Sequence, residues 1–254
     1  MAENKAYNQT SAGMRQQKTA KVCEHMAYAA REAFKRLRTN VLITLEDMGR
    51  KGCRAIGVTS AQPSEGKSTV SINLAYTLAE QGKSVILLDC DLRRPSIHTN
   101  LNVRQSPGMT EIMEGHENLD KAMLRYKSSE NETCFDLITA GALPRNPSEI
   151  LGSKRFYELL DVLRNAYDVI ILDLPPTNVV IDAAVVAKAT DGLLVVIREN
   201  HCTRFVLQDC MEQLAHAKAN VLGFVVNGSV NGAGKRYRYG KGYHYDNAYY
   251  EYKK

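Results

Sequence analysis

The sequence predicts an α/β fold in which helices cover both faces of a mostly parallel sheet. Short apolar segments alternate with helical patterns along most of the chain, and several segments are apolar at nearly every position. Strands of a parallel sheet are buried on both faces, so they read as continuous apolar runs. With right-handed crossovers, the carboxyl ends of such strands meet at one edge of the sheet, where ligands bind. The sequence therefore predicts a ligand site built from residues that follow the strands.

The predicted elements follow from these patterns in chain order. Strand-like segments cover residues 55–60, 84–91, 135–141, 167–173, 192–197 and 221–227. Helical patterns cover residues 25–48, 68–81, 109–115, 153–166, 183–190 and 203–219. The first helical segment predicts one or two amphipathic helices, because its apolar residues recur close to the helical period; they are Ala29, Ala33, Leu37, Val41 and Leu45.

The composition is that of an ordinary globular protein, with 254 residues of which 44% are apolar and 24% charged. We expect a flexible arm over residues 1–22, one domain over residues 23–232 and a disordered tail over residues 233–254, because both ends are polar. No apolar run approaches the roughly 18–20 residues that span a bilayer, and the first residues lack the apolar core of a signal peptide. These features predict a cytoplasmic protein that reaches a membrane only through a partner. The six cysteines form no C-x-x-C pair, so no zinc site or disulfide framework is predicted.

A phosphate-binding loop is predicted between the first strand and the helix that follows it. Residues 61–69 read Ala-Gln-Pro-Ser-Glu-Gly-Lys-Ser-Thr, which matches G-x-x-x-x-G-K-S/T except that Ala61 replaces the first glycine. In such a loop the backbone N–H groups hold phosphate oxygens, the lysine reaches the β and γ phosphates, and the hydroxyl after it binds magnesium. The sequence therefore predicts ATP and Mg²⁺ as ligands. The predicted nucleotide contacts are Ser64, Glu65, Gly66, Lys67, Ser68 and Thr69.

Polar residues at three other strand ends extend this site. Asp89 and Asp91 end the second predicted strand, and Asp173 ends the strand at residues 167–173. Carboxylates on the same edge as the phosphate loop can hold magnesium or its water and orient a nucleophile. We therefore predict Ser68, Asp89 and Asp173 as the metal ligands. Asn227 ends the last strand, where its amide either reads the adenine edge or simply follows the strand.

Together these segments resemble the bacterial protein tyrosine kinases of the cytoplasmic split form. The resemblance is carried by residues 60–69, 85–95 and 169–176, is extended by residues 143–151, and covers roughly residues 25–254. It implies a P-loop ATPase scaffold that phosphorylates tyrosine, with Lys67 as a catalytic residue. It also implies that Asp89 or Asp91 accepts or orients the tyrosine hydroxyl proton, and the sequence leaves that choice open.

The family's ring-assembly motif, E-x-x-R-x-x-R, is matched by Glu32, Lys35 and Arg38. Lysine at the first arginine keeps the charge but lacks the planar guanidinium fork, which weakens the predicted oligomerisation contact. Arg36 stands one residue later as a substitute. The other reading of this segment is an exposed helix with charge pairs three residues apart.

The end of the chain is rich in tyrosine. Seven of the 13 tyrosines lie between residues 235 and 254, and we predict them as autophosphorylation sites: Tyr237, Tyr239, Tyr243, Tyr245, Tyr249, Tyr250 and Tyr252. A flexible tail can bring any of these hydroxyls to ATP in a neighbouring copy. Aromatic residues interleaved with lysine and arginine also suit nucleic acid, but beside a kinase-like site we disfavour nucleic acid as a partner.

The resemblance further implies regulation of capsular or exopolysaccharide synthesis. The implied partners are a transmembrane adaptor whose cytoplasmic tail activates the enzyme, other copies in a ring, a cognate tyrosine phosphatase and further protein substrates. A partitioning-type ATPase switch is the main alternative, but that class carries a second lysine early in the loop, where this chain has Gln62 and Pro63. A nucleotide-binding scaffold without kinase activity is the other alternative.

Overall fold

The computed structural model of the protein describes residues 22–49 and 52–228, which form an α/β fold. The predicted tail, most of the predicted arm and the seven tail tyrosines lie outside the described residues. Within the described part, seven strands form one sheet in the order β3-β4-β2-β5-β1-β6-β7. The strands are β1 (Arg54–Ser60), β2 (Val85–Asp89), β3 (Met123–Lys127), β4 (Cys134–Ile138), β5 (Val169–Asp173), β6 (Gly192–Arg198) and β7 (Val221–Asn227).

Helices lie on both sides of this sheet, as predicted. They are α1 (Tyr28–Asp47), α2 (Lys67–Glu80), α3 (Ile97–Leu101), α4 (Met109–Glu114), α5 (Leu119–Ala122), α6 (Pro147–Leu151), α7 (Lys154–Ala166), α8 (Asp182–Val186) and α9 (Arg204–His216). Alternate residues of a strand point to opposite faces, so Ile86 and Leu88 join one buried core while Val85 and Leu87 join the other. The first core contains residues of α4, α6, α7, α8 and α9, and the second contains residues of α1, α2 and α3.

All strand pairs of the sheet are parallel except β3 with β4. β3 was not predicted, because its charged residues hide the apolar pattern of an edge strand. Arg125 of β3 pairs with Asp136 of β4, with Nε–Oδ1 and Nη2–Oδ2 distances of 2.7 and 3.0 Å. The antiparallel edge therefore depends on a cross-strand ion pair as well as on apolar contact.

The first helical segment forms one helix, α1, that packs on α2. Val41 and Leu45 are buried as predicted, but Ala29 and Ala33 are exposed. The buried side of α1 instead includes Phe34, since large side chains bury more apolar area than alanine. No helix of the described ranges 22–49 and 52–228 is both long and apolar enough to cross a bilayer.

Candidate functional site

The loop between β1 and α2 has the backbone geometry of a phosphate cradle. Gly66 precedes the first residue of α2 and has a φ of +95°, in the left-handed region that favours glycine. Ser64 also has a positive φ, of +64°. Ala61 is fully buried and is not among the residues with positive φ. The loop therefore accommodates a methyl group where the usual pattern has its first glycine.

Residues at the ends of β6 and β7, and one residue in the turn after β6, hold three successive carbonyl groups of this loop. The contacts are His201 Nε2 with Pro63 O at 3.2 Å, Arg198 Nη1 with Ser64 O at 3.2 Å, and Asn227 Nδ2 with Glu65 O at 2.9 Å. The backbone N–H groups of residues 64–68 have no acceptor among the described residues. Such N–H groups at a helix N-terminus attract anions. The loop is therefore organised to receive phosphate oxygens.

The carboxylate of Glu65 is engaged within the protein rather than directed toward a ligand. Its side chain is fully buried, and Oε2 accepts a hydrogen bond from the Gln62 backbone N–H at 2.8 Å. Its Oε1 accepts a hydrogen bond from the Arg198 backbone N–H at 3.4 Å. The carboxylate therefore braces the loop, and a nucleotide contact from Glu65 has to come from its backbone N–H.

The predicted carboxylates meet at the edge of the sheet beside the loop. Asp89 and Asp173 are register partners at the ends of β2 and β5, and both are fully buried. Asp91 lies two residues beyond β2, and its Oδ2 is 2.6 Å from Nζ of Lys67. The lysine predicted to bind phosphate is thus paired with a carboxylate predicted to act on the nucleophile.

The proton affinities in this cluster reflect burial and mutual charge. Burial raises the pKa of Asp89 well above its ordinary value, and the charges of Asp173 and Asp91 raise it further. Burial also raises the pKa of Asp173, while the positive charge of Lys67 opposes that shift. For Lys67, burial lowers the pKa, but the neighbouring aspartates outweigh burial and the pKa is raised. Lys67 is therefore charged at neutral pH, and the surplus of carboxylates favours a further cation.

The same side chains fit a magnesium ion shared with phosphate. Asp173 Oδ1 accepts a hydrogen bond from Ser71 Oγ at 3.0 Å, whereas Oδ2 is buried without a hydrogen-bond partner of normal geometry in the described part. The Ser68 hydroxyl lies close enough to Asp173 to lower its pKa. No group of three His, Cys, Asp or Glu side chains in the described residues forms a cage for a metal. This arrangement suits Mg²⁺, which usually binds through one or two carboxylates, water and substrate phosphates.

The loop and Asp91 border a cavity of about 620 Å³. This volume is typical of a small-molecule site. Five of the residues predicted to contact the nucleotide line the cavity, namely Ser64, Gly66, Lys67, Ser68 and Thr69, and so does Asp91. Their contact with a nucleotide stays a prediction. The remaining lining comes from the loop itself, from the segments after β2 and β5 and from the last residue of β6: Pro63, Arg93, Arg94, Ser96, Asn100, Pro175, Pro176, Val179, Val180 and Arg198.

Arg93 connects the loop after β2 to α6 and α8. Its Nε lies 2.9 Å from Oδ2 of Asp182, and its Nη2 lies 2.9 Å from Oγ of Ser148. Asp182 is fully buried and also accepts a hydrogen bond from Ser148. Arg93 therefore fixes the segment that carries Asp89 and Asp91.

Other predicted residues have different surroundings. The amide nitrogen of Asn227 is engaged by the loop, and its contact with the adenine edge stays a prediction. On α1, Glu32 and Lys35 pair with each other at 3.2 Å, whereas Arg38 Nη1 donates to the Thr77 carbonyl of α2 at 2.7 Å. The oligomerisation role of these three side chains likewise stays a prediction.

Some residues that shape the site were not predicted. Arg198 and His201 hold loop carbonyls, and Asp182 fixes Arg93. Each lies more than 80 residues in sequence from its partner, so no local pattern reveals the contact. For Arg198, the signal present in the sequence was its position. It ends an apolar strand, which places it on the same edge of the sheet as the phosphate loop.

Comparison with known proteins places these features in a family. The chain matches the AAA domain family over residues 53–221. It is 36% identical over 197 residues to the tyrosine-protein kinase YwqD of Bacillus subtilis, with 78% of this chain and 80% of that protein covered. A putative tyrosine-protein kinase in the cps region of Klebsiella pneumoniae is 31% identical over 214 residues, with 84% of this chain but only 29% of that protein covered. The kinase domain of the Escherichia coli tyrosine kinase ETK superposes with a TM-score of 0.74 at 33% identity, covering 84% of this chain and 80% of that one.

Proposed function

Because this chain belongs to the bacterial protein tyrosine kinases, which are built on a P-loop AAA domain, we propose that it transfers the γ-phosphoryl group of ATP to tyrosines of its own C-terminal tail. The proposal rests on the surroundings of Lys67. Its ammonium group lies at the start of α2 beside unpaired loop N–H groups and 2.6 Å from the Asp91 carboxylate. A phosphate-binding cation thus adjoins a carboxylate that can act on an incoming hydroxyl.

Binding of ATP begins with the loop. In this proposal the N–H groups of residues 64–68 receive the β- and γ-phosphate oxygens, and Lys67 exchanges Asp91 for the γ-phosphate. Ser68 would hold Mg²⁺, and so would Asp89 and Asp173, directly or through water. When bound, Mg²⁺ neutralises charge on the β and γ phosphates. Because the loop N–H groups and Lys67 are in place on ATP before phosphoryl transfer, they stabilise the developing phosphoryl charge at little reorganisation cost.

Phosphoryl transfer then requires one carboxylate to receive a proton. The tyrosine oxygen forms a bond to the γ-phosphorus, the bond from that phosphorus to the bridging oxygen of ADP breaks, and the hydroxyl proton passes to Asp91. We favour Asp91 over Asp89 because Asp91 lines the cavity, whereas Asp89 is fully buried and does not. Once Lys67 has moved to the phosphates, Asp91 has an oxygen free for the hydroxyl.

Assembly and regulation complete the proposal. We place the ring contact on the outer side of α1, through the partly exposed pair of Glu32 and Lys35, while Arg38 holds α1 on α2. Phosphates at roughly −1.5 to −2 charges each would make adjacent tails repel one another. The unphosphorylated chain should therefore assemble and the phosphorylated chain should dissociate. Equal sedimentation coefficients for the two forms would contradict this cycle.

The proposed pathway is the control of capsular or exopolysaccharide synthesis. A transmembrane adaptor would bring the enzyme to the membrane and activate it through a cytoplasmic tail, and a tyrosine phosphatase would reverse the modification. Other protein substrates would be phosphorylated at the same site. The relative named for a cps region supports this assignment.

Mass spectrometry of the tail tests the kinase proposal directly. The purified chain is incubated with ATP and Mg²⁺, alone and with the cytoplasmic segment of a candidate adaptor, and residues 235–254 are analysed for phosphotyrosine. Lys67→Met removes the phosphate-binding cation, while Lys154→Met removes a lysine whose side chain is 90% exposed on α7. We expect phosphotyrosine to form at similar rates in the wild type and in Lys154→Met, and about 10²–10³-fold more slowly in Lys67→Met. A tail that stays unmodified with the activator present would favour the ATPase-switch alternative.

A further inference from the structure

Two neighbouring loops give the cavity a second region beside the phosphate loop. The loop after β5 supplies an apolar wall of Pro175, Pro176, Val179 and Val180. Val179 is 59% exposed, so the wall is open to solvent at this residue, whereas Pro175 and Pro176 are buried. The loop after β2 supplies Arg93 and Arg94. Since β2 and β5 are adjacent in the sheet, the apolar wall and the two arginines border the same part of the cavity.

The two arginines differ in what they contact. The guanidinium group of Arg93 is occupied by Asp182 and Ser148. The guanidinium group of Arg94 has no hydrogen bond or ion pair with any residue of the described ranges, and its side chain is exposed. Its backbone N–H, however, donates to Oδ1 of Asp91 at 3.0 Å. The backbone of Arg94 is therefore held next to the carboxylate that receives the hydroxyl proton, while its guanidinium group is left to bind another partner.

We propose that this region is an acceptor subsite that selects tyrosines with a carboxylate as the adjacent residue. The apolar wall takes the aromatic ring of the acceptor, and Arg94 pairs with the neighbouring aspartate or glutamate. A planar guanidinium is the side chain best suited to bind a carboxylate through two hydrogen bonds. The inference rests on the proposed kinase function and names the substrate class of that same site.

The tail of this chain offers a matching occupant, residues 245–252. The tail from residue 235 onward contains two acidic residues, and both adjoin tyrosines: Asp246 follows Tyr245, and Glu251 lies between Tyr250 and Tyr252. Tyr237 has the opposite surroundings, because arginines flank it on both sides, and Tyr239 follows one of them. Arg94 should therefore attract the acidic group of tyrosines and repel the basic group.

The test compares sites within one tail. In the full chain with ATP and Mg²⁺, initial phosphorylation rates are measured by mass spectrometry for the acidic group (Tyr245, Tyr250, Tyr252) and the basic group (Tyr237, Tyr239). Their ratio does not depend on total activity or on the folded fraction. An exposed ion pair predicts a preference on the order of two- to fivefold for the acidic group. Because salt screens such pairs, the preference should shrink as ionic strength rises.

Arg94→Glu should reverse the ratio, and Arg94→Lys should keep part of the preference. Lys154→Glu makes the same change in net charge at an exposed position of α7, and it should leave the ratio as in the wild type. Adding Asp246→Arg and Glu251→Arg to Arg94→Glu should move the reversed ratio back toward one, because both groups of tyrosines then adjoin arginines. A wild-type ratio near one, or a ratio unchanged by Arg94→Glu, would overturn the subsite. A tail with no phosphotyrosine at any site would overturn the kinase proposal itself, which is a separate result.

Discussion

Replacing Gly66 with alanine tests whether the phosphate loop and the end of β7 are built against each other. An added methyl group would lie 1.9 Å from Nδ2 of Asn227, the atom that donates to the Glu65 carbonyl. No atom outside Asn227 is among the three nearest contacts of that methyl group. The φ of +95° adds strain for any residue with a Cβ. Two separate penalties are therefore expected, one in the backbone and one in the Asn227 contact.

The size of each penalty follows from the geometry. A non-glycine residue in the left-handed region costs about 1–2 kcal/mol. The Asn227 amide is the end of a side chain and can move aside, but it then loses a hydrogen bond worth about 1 kcal/mol. Gly66→Ala should therefore lower the free energy of unfolding by about 2–3 kcal/mol, or Tm by roughly 4–12 °C for a chain of this size. Asn227→Ala alone should cost about 1 kcal/mol.

A double-mutant cycle separates the two penalties. With Asn227→Ala already present, Gly66→Ala no longer displaces the amide, so only the backbone cost of about 1–2 kcal/mol remains. The two substitutions should therefore be non-additive by about 1 kcal/mol. Urea unfolding followed by far-ultraviolet circular dichroism measures this, since the chain has no tryptophan. Additive costs would refute the contact between the loop and β7, and an unchanged stability in Gly66→Ala would refute the strained backbone.

Three further substitutions give separate tests. Asp182→Asn removes a fully buried charge that binds a guanidinium and a hydroxyl group, so the free energy of unfolding in urea should fall by about 1.5–3 kcal/mol. The exposed control Glu158→Gln should cost less than about 0.5 kcal/mol. Equal costs for the two variants would contradict the role of Asp182 in holding Arg93. Burial alone would raise the pKa of Glu24, but hydrogen bonds from hydroxyl groups of β3 and the turn after it outweigh burial and lower it. The stabilisation by the ionised Glu24 is therefore present above the unfolded pKa of 4.5 and is lost as pH falls through the lower folded pKa. The difference in unfolding free energy between the wild type and Glu24→Gln should therefore close in acid. A difference that does not change with pH would contradict the lowered pKa of Glu24. Lys67→Met should slow tail phosphorylation about 10²–10³-fold, as loss of a fixed charge-stabilising donor does, whereas a rate equal to that of Lys154→Met would rule out the phosphate-binding role.

The sequence was sufficient for features that depend on local patterns. The alternation of apolar strands with helices predicted the parallel sheet, and the strand-end positions of Asp89 and Asp173 predicted that they would meet. They do so as register partners, because parallel strands in one sheet align their carboxyl ends. The phosphate loop was equally readable, since its glycine, lysine and hydroxyl act through adjacent residues of one turn.

The tertiary structure alone decided which side chains hold the site in place. Arg198, His201 and Asp182 contact residues more than 80 positions away, and their roles depend on strand order, which no local pattern encodes. The same holds for β3, whose place at the sheet edge depends on pairing with β4. The difference in contacts between Arg93 and Arg94 also comes from the tertiary structure. The two arginines are adjacent on one loop, but of the two only Arg93 binds the buried Asp182 carboxylate through its guanidinium group. Sequence therefore determined the chemistry available at the edge of the sheet, and packing determined which of those groups are held and which are left to bind.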